Sequence, residues 1–222
     1  YPPVSVYIDL LFLETLNDVD IACGLAEGVK ICFADSNSDS LTFKALIRQW
    51  RTKNELESLR KAIFLSLEKK KWFIEIDEFD KKERKLLNFG HSFGHALEAA
   101  TDFQVPHGIA VFIGMRSALN FAQTPKMTLE LKTWISEEVQ LIQQGIGRLQ
   151  VSQGKFLSAL RKDKKNSSTE LCLILPEESG SLSEKYLNLD EDVLHNIKSY
   201  FDRMNISMKD TNNKQALMPK KG

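Results

Sequence analysis

The chain lacks most of the features that mark a protein class at a glance. No apolar run approaches the roughly 18 residues that would cross a bilayer, so no membrane-spanning helix is expected. Charge of one sign is missing too: 30 basic and 30 acidic residues cancel, and without a global field neither nucleic acid nor a membrane surface is an expected partner. Lysines do cluster at Lys69–Lys71 and Lys162–Lys165, runs that by themselves read as solvated faces. The only cysteines, Cys23, Cys32 and Cys172, stand far apart in apolar sequence, which excludes a disulfide framework. They read as buried free thiols of a reducing, cytoplasmic compartment. No glycine-rich phosphate loop follows a strand, so the chain carries no dinucleotide fingerprint. A Gly-x-Ser-x-Gly elbow and a cysteine nucleophile beside a histidine are also lacking. There is no initiator methionine or signal peptide; the opening YPPVSVYIDL reads as the middle of a longer protein.

Histidine is scarce but concentrated. Three of the four, His91, His95 and His107, fall within LLNFGHSFGHALEAATDFQVPHG, residues 86–108. His91 and His95 are four apart and share a face of a predicted helix, while His107 follows a short polar turn. Neutral imidazole is the commonest metal-ligand side chain, so the cluster points to a metal-centred active site, and spacing alone pairs His91 with His95 as ligands. Along that helix Leu86, Phe89, Phe93, Leu97 and Ala100 form a buried stripe. The opposite stripe is Asn88, His91, His95 and Glu98, with Arg84 in line if the helix reaches back that far. Gly90 and Gly94 each cost such a helix about 1 kcal/mol relative to Ala, which implies a close approach there. No cysteine lies nearby to close a structural zinc shell.

The remaining pattern is largely helical. Helices are predicted over Leu10–Leu16, Val19–Phe33, Leu41 to about Lys71 with a break near Asn54, and Ala110–Gln123. Others follow over Thr128 to about Gln143, Lys155–Lys162 and Asp190–Arg203. Within the second of these, Glu27 and Lys30 sit three apart, opposite the apolar side, and can face the same space. Val4–Ile8 and Trp72–Ile76 read as short extended pieces. Leu171–Pro176 reads as a strand, paired with Ser181–Tyr186 across a Glu-Ser-Gly turn. The chain is thus predicted to be mainly α with a small β-hairpin: one domain over residues 1–206 and a polar, disordered tail over 207–222.

Five segments, in order, resemble 3-dehydroquinate synthase and the related sugar-phosphate cyclases: PPVSVYIDLLFLETL, GLAEGVK, KKKWFIEIDEFDKKERKLLNFGHSFGHALE, VPHGIAVFIGM and RKDKKNSSTELCLILPEESG. The resemblance covers roughly residues 1 to 200 and concerns that family's helical C-terminal domain; the N-terminal domain that makes most of its NAD contacts is not in this chain. It implies that Glu27, His91 and His107 hold a Zn2+ (or Co2+) ion, two imidazoles and a carboxylate leaving an open coordination position. It makes His95 a substrate-facing group instead of a ligand. Lys30, Lys70, Arg84, Asn88 and His95 would contact substrate, as would Lys164 or Lys165 of the Asp163-Lys164-Lys165 turn. That set suits a small polyanion bearing phosphate and carboxylate: Arg as a planar fork, Lys as point charges, Asn and His as donors.

Three positions depart from the family pattern. Asp80 stands where Glu is usual, Ile109 where an acid is usual, and Gly28 where a larger apolar residue is commoner. The chemistry implied is oxidation of a secondary alcohol by NAD beside the metal, elimination of phosphate, re-reduction, and an intramolecular aldol that closes a carbocycle. The expected partner is a seven-carbon sugar-acid phosphate, and the full-length protein is expected to be a homodimer. Competing readings are another sugar-phosphate cyclase of secondary metabolism, a metal-dependent polyol or alcohol dehydrogenase, and a metal-binding module without activity.

Overall fold

The structure, a computed structural model, describes residues 4–122, 128–146, 149–162, 170–203 and 206–209. A 3-10 turn over Leu10–Thr15 leads into α1 (Asp18–Asp35), which starts where Asn17 accepts a hydrogen bond from the Asp20 amide. Ser36 ends it and caps the next helix, α2 (Asn37–Lys53), by accepting from the Asp39 amide. Asn54, at φ 52°, turns the chain in the left-handed conformation, and α3 follows over Leu56–Ile76. The expected break near Asn54 is therefore present. The expected extended piece at Trp72–Ile76 is not: those residues complete α3, with Phe73 buried beneath them. β-Branched and aromatic residues there match strand propensity locally, but burial on the helical core decides.

The histidine helix is also shorter than its periodicity implied. Residues Glu83–Asn88 form a 3-10 turn, Gly90 adopts φ 77°, and only then does α4 (His91–Ala100) begin. Arg84 and Asn88 consequently lie on a separate element from the histidines. α5 (His107–Phe121) is the central helix, buried continuously from Gly108 to Met115 and again at Ser117–Leu119. α6 (Leu129–Ile146), β1 (Leu149–Ser152) and α7 (Gln153–Lys162) follow. The predicted hairpin is formed by β2 (Glu170–Pro176) and β3 (Leu182–Asn188), antiparallel with Cys172 opposite Tyr186. α8 (Glu191–Arg203) leads to β4 (Ile206–Lys209), which pairs in parallel with β1, a contact the sequence pattern did not announce. Mainly α with a small β-hairpin is the architecture found. Of the tail predicted to be disordered over 207–222, residues 207–209 belong to β4, and residues 210–222 lie outside the described residues.

Two glycines of α5 set how closely the central helices approach. A Cβ on Gly114 of α5 would lie 2.0 Å from the Gly90 carbonyl oxygen and 2.9 Å from the Gly94 amide. A Cβ on Gly108 would lie 2.4 Å from Cys23 Cα of α1. Backbone therefore meets backbone at the α4–α5 crossing and at the α1–α5 crossing, and the histidine and glutamate side chains of all three helices are drawn to one place. Gly28, the unusual residue of α1, leaves its space to the buried Phe43 ring, which a Cβ would meet at 2.5 Å. Ile109, in place of an acid, is buried in the core.

Candidate metal and substrate site

Glu27 and Lys30 of α1, His91 and His95 of α4, and His107 at the first position of α5 converge on the domain surface. One ring nitrogen from each histidine lies within 4.8 Å of the others, and the ring centroids are 5.1–5.7 Å apart. Glu27 Oε1 is 3.6 Å from His107 Nε2, beyond hydrogen-bond reach. That oxygen is buried with no hydrogen-bond partner among the described residues. An orphaned buried acceptor costs about 1–3 kcal/mol, a cost that a cation would remove. Its companion, Oε2, accepts from Lys30 Nζ at 2.8 Å, and the same ammonium lies 3.4 Å from His91 Nε2.

The electrostatics suit a cation held by neutral imidazole. Burial and then the Lys30 ammonium push His91 down to about 3, so its ring is neutral at physiological pH. His91 Nδ1 is 3.3 Å from the Phe89 carbonyl; with the proton on that nitrogen, Nε2 is left as the lone-pair donor. His107 Nδ1 is 3.1 Å from the Glu98 carboxylate, which orients that ring in the same sense. No such hydrogen bond is found for His95 among the described residues. Lys30 is only 5 % exposed, and burial lowers its pKa while the Glu27 carboxylate opposes the fall.

The other expected site residues are distributed differently. Lys70 is exposed on α3, close enough that its charge disfavours the Lys30 ammonium. In the lysine run around it, Lys69 is drawn in to bridge Asp35 and Asp39 at 2.8 and 3.2 Å, while Lys71 stays on the solvated face 3.6 Å from Glu75. Arg84 is half-buried and donates from its guanidinium to the Glu78 carbonyl at 2.8 Å; it forms no ion pair with Asp80 among the described residues. Asn88 donates to the Lys85 carbonyl at 3.0 Å. No hydrogen bond among the described residues joins Arg84 or Asn88 to the histidines. Lys164 and Lys165 lie outside the described residues.

Two residues that spacing did not single out hold the site together. Asp77, 8 % exposed, accepts from the amides of Lys81, Lys82 and Arg84 at 2.9, 2.7 and 3.2 Å, and these bonds hold its carboxyl below the usual range. It thereby pins the loop that presents Arg84. The second is Glu98, visible in the sequence only as another polar member of the histidine face.

Residues 24–166 match the protein family described as "3-dehydroquinate synthase C-terminal". The chain belongs to that family. Among its relatives, 3-dehydroquinate synthase of Streptococcus pyogenes serotype M6 is 36 % identical over 186 residues, covering 81 % of this chain and 50 % of the relative. The Streptococcus equi subsp. equi enzyme of the same name is 32 % identical over 212 residues, covering 91 % and 56 %, and that of Helicobacter pylori 35 % identical over 190, covering 82 % and 51 %. This family member thus spans about half the length of the curated relatives it matches. A crystal structure of 2-deoxy-scyllo-inosose synthase complexed with carbaglucose-6-phosphate, NAD+ and Co2+ superposes with TM-score 0.67 at 20 % identity, covering 89 % of this chain and 56 % of that one. At that identity the likeness establishes a shared helical fold.

Proposed function

We propose that this chain is the metal- and substrate-binding half of a 3-dehydroquinate synthase, a lyase of the shikimate pathway acting on a seven-carbon sugar-acid phosphate. The observation that carries the reading is Glu27 Oε1, buried and, among the described residues, unpartnered beside His107 Nε2 and across from the neutral His91 ring. Glu27, His91 and His107 would hold Zn2+, or the Co2+ seen in the inosose synthase complex. Both rings of this set have Nδ1 against a carbonyl or carboxylate, the arrangement metal-ligating histidines favour; His95 lacks it among the described residues, which supports a substrate-facing role there. Bound at this place, the ion would supply Lewis-acid polarisation of adjacent substrate oxygens. NAD, held by residues outside this chain, would supply reversible hydride transfer.

The chain's own residues do the binding and positioning. Lys30, desolvated beside Glu27, keeps a cation where substrate oxygens arrive; its low exposure makes that charge act through a low dielectric. His95, exposed and close to both other imidazoles, offers substrate a ring N–H donor and a ring nitrogen acceptor. Lys70, Arg84 and Asn88, with Lys164 or Lys165, would receive phosphate and carboxylate.

The test is made on the full-length protein with the seven-carbon sugar-acid phosphate. Inorganic phosphate should be released without net NADH accumulation, whereas a polyol or alcohol dehydrogenase would accumulate NADH and release none. Arg84→Ala should lower kcat/KM by roughly 2–4 kcal/mol, the scale of a lost charge-assisted contact. Unchanged kinetics in that variant, or preference for a sugar phosphate lacking the carboxylate, would assign the protein to another cyclase branch.

A further inference from the structure

We infer that Glu98 is a positioning residue that fixes the tautomer and ring orientation of His107, and thereby the strength of the metal site. The inference rests on the ligand set proposed above. Both Glu98 oxygens approach His107 Nδ1, at 3.2 and 3.1 Å, while Nε2 of the same ring faces Glu27 Oε1 at 3.6 Å. The imidazole lies between two carboxylates, and of the two only Glu98 is within hydrogen-bond reach of it. His107 needs that anchor. Its side chain is 46 % exposed, it opens α5, and no side chain caps that helix, so packing alone does not hold the ring.

Glu98 is suited to the task. Its side chain is only 12 % exposed, it lies two turns beyond His91 on the same face of α4, and it forms no ion pair with a lysine or arginine among the described residues. Its backbone is fixed as well: the Glu98 carbonyl accepts from the Phe103 amide at 2.7 Å in the turn that leads to His107. A carboxylate at Nδ1 accepts from the N–H there and leaves Nε2, the nitrogen facing Glu27, as the lone-pair donor for the ion. Because Glu98 sits on the opposite edge of the ring from Glu27, it acts through His107 and not on the ion directly.

The experiment titrates the metal-free full-length protein with Co2+ alone and follows the visible spectrum of the bound ion, for wild type and for Glu98→Ala, Glu98→Gln and His107→Ala. Glu98→Ala should bind Co2+ roughly 10–100-fold more weakly with an altered spectrum. Glu98→Gln, which keeps an acceptor oxygen and the side-chain volume, should lose less, and it carries the test should the alanine variant fold poorly. Melting of the metal-free protein should be unmoved in Glu98→Gln. Wild-type affinity and spectrum in both Glu98 variants would overturn the inference, as would a lower metal-free melting temperature with an unchanged Co2+ spectrum. Retention of Co2+ by His107→Ala would overturn the ligand assignment itself; its loss there beside neutral Glu98 variants would spare the assignment and sink only the role of Glu98.

Discussion

His95 and His107 show how little residue type says about role. Both are exposed imidazoles beside His91, and spacing along the sequence favours His95 as its fellow ligand. What separates them is the second nitrogen: His107 Nδ1 faces Glu98, and no hydrogen bond holds His95 among the described residues. His107→Ala is therefore expected to abolish stoichiometric metal binding, measured by elemental analysis after dialysis. His95→Ala should retain the ion and lose turnover in the full-length protein. Loss of metal in His95→Ala comparable to that in His91→Ala would restore the spacing-based ligand pair. Glu27 is nominated by the resemblance of its GLAEGVK segment to the cyclase family, but its orphaned oxygen is a property of the folded surroundings alone.

At the scale of elements, the site depends on helices that touch through glycine. Gly114→Ala would drive a methyl into the Gly90 carbonyl at 2.0 Å, and backbone cannot yield as a flexible side chain does. The variant should lose about 1–3 kcal/mol by overpacking, read as a lower melting temperature, and bind metal more weakly because α4 and α5 are forced apart beneath His91 and His107. Gly24→Ala is the control of opposite sign: exposed within α1, with nothing within 4 Å of the added Cβ, it should raise stability by about 0.5–1 kcal/mol. The cost of Gly90 and Gly94 in a helical pattern pointed to a close approach before any partner was visible. The break at Gly90 was not legible, because 3-10 and α-helical turns share nearly the same apolar spacing over six residues. Nor could Trp72–Ile76 be read as helix, since its strand-like residues are overruled by packing of Phe73 beneath α3.

For the whole molecule, the position of the site matters more than its composition. His95 and His107 are open to solvent, and this family member spans about half of its relatives. On the function proposed above, NAD would have to be held against the metal site by residues outside this chain. Residues 1–222 alone are expected to bind NAD+ poorly and to release no phosphate from the sugar-acid phosphate, checked by calorimetry and a phosphate assay. Submicromolar NAD+ affinity in this chain would contradict the division of labour.

Sequence by itself determined the class of the domain, the break at Asn54, the hairpin of β2 and β3, and the clustering of three histidines in one short segment. Those features are written in short-range periodicity, in turn chemistry and in rare residue types, which need no knowledge of distant partners. The set of Glu27, His91 and His107 comes instead from the family resemblance and not from spacing. Tertiary structure alone decided which carboxylate meets which imidazole, which glycine meets which backbone, and that β1 pairs with β4 across more than fifty intervening residues. Each of these is a contact between segments whose separation along the chain carries no period. Only the packing of α1, α4 and α5 brings Glu27, His91, Glu98 and His107 within reach of one another.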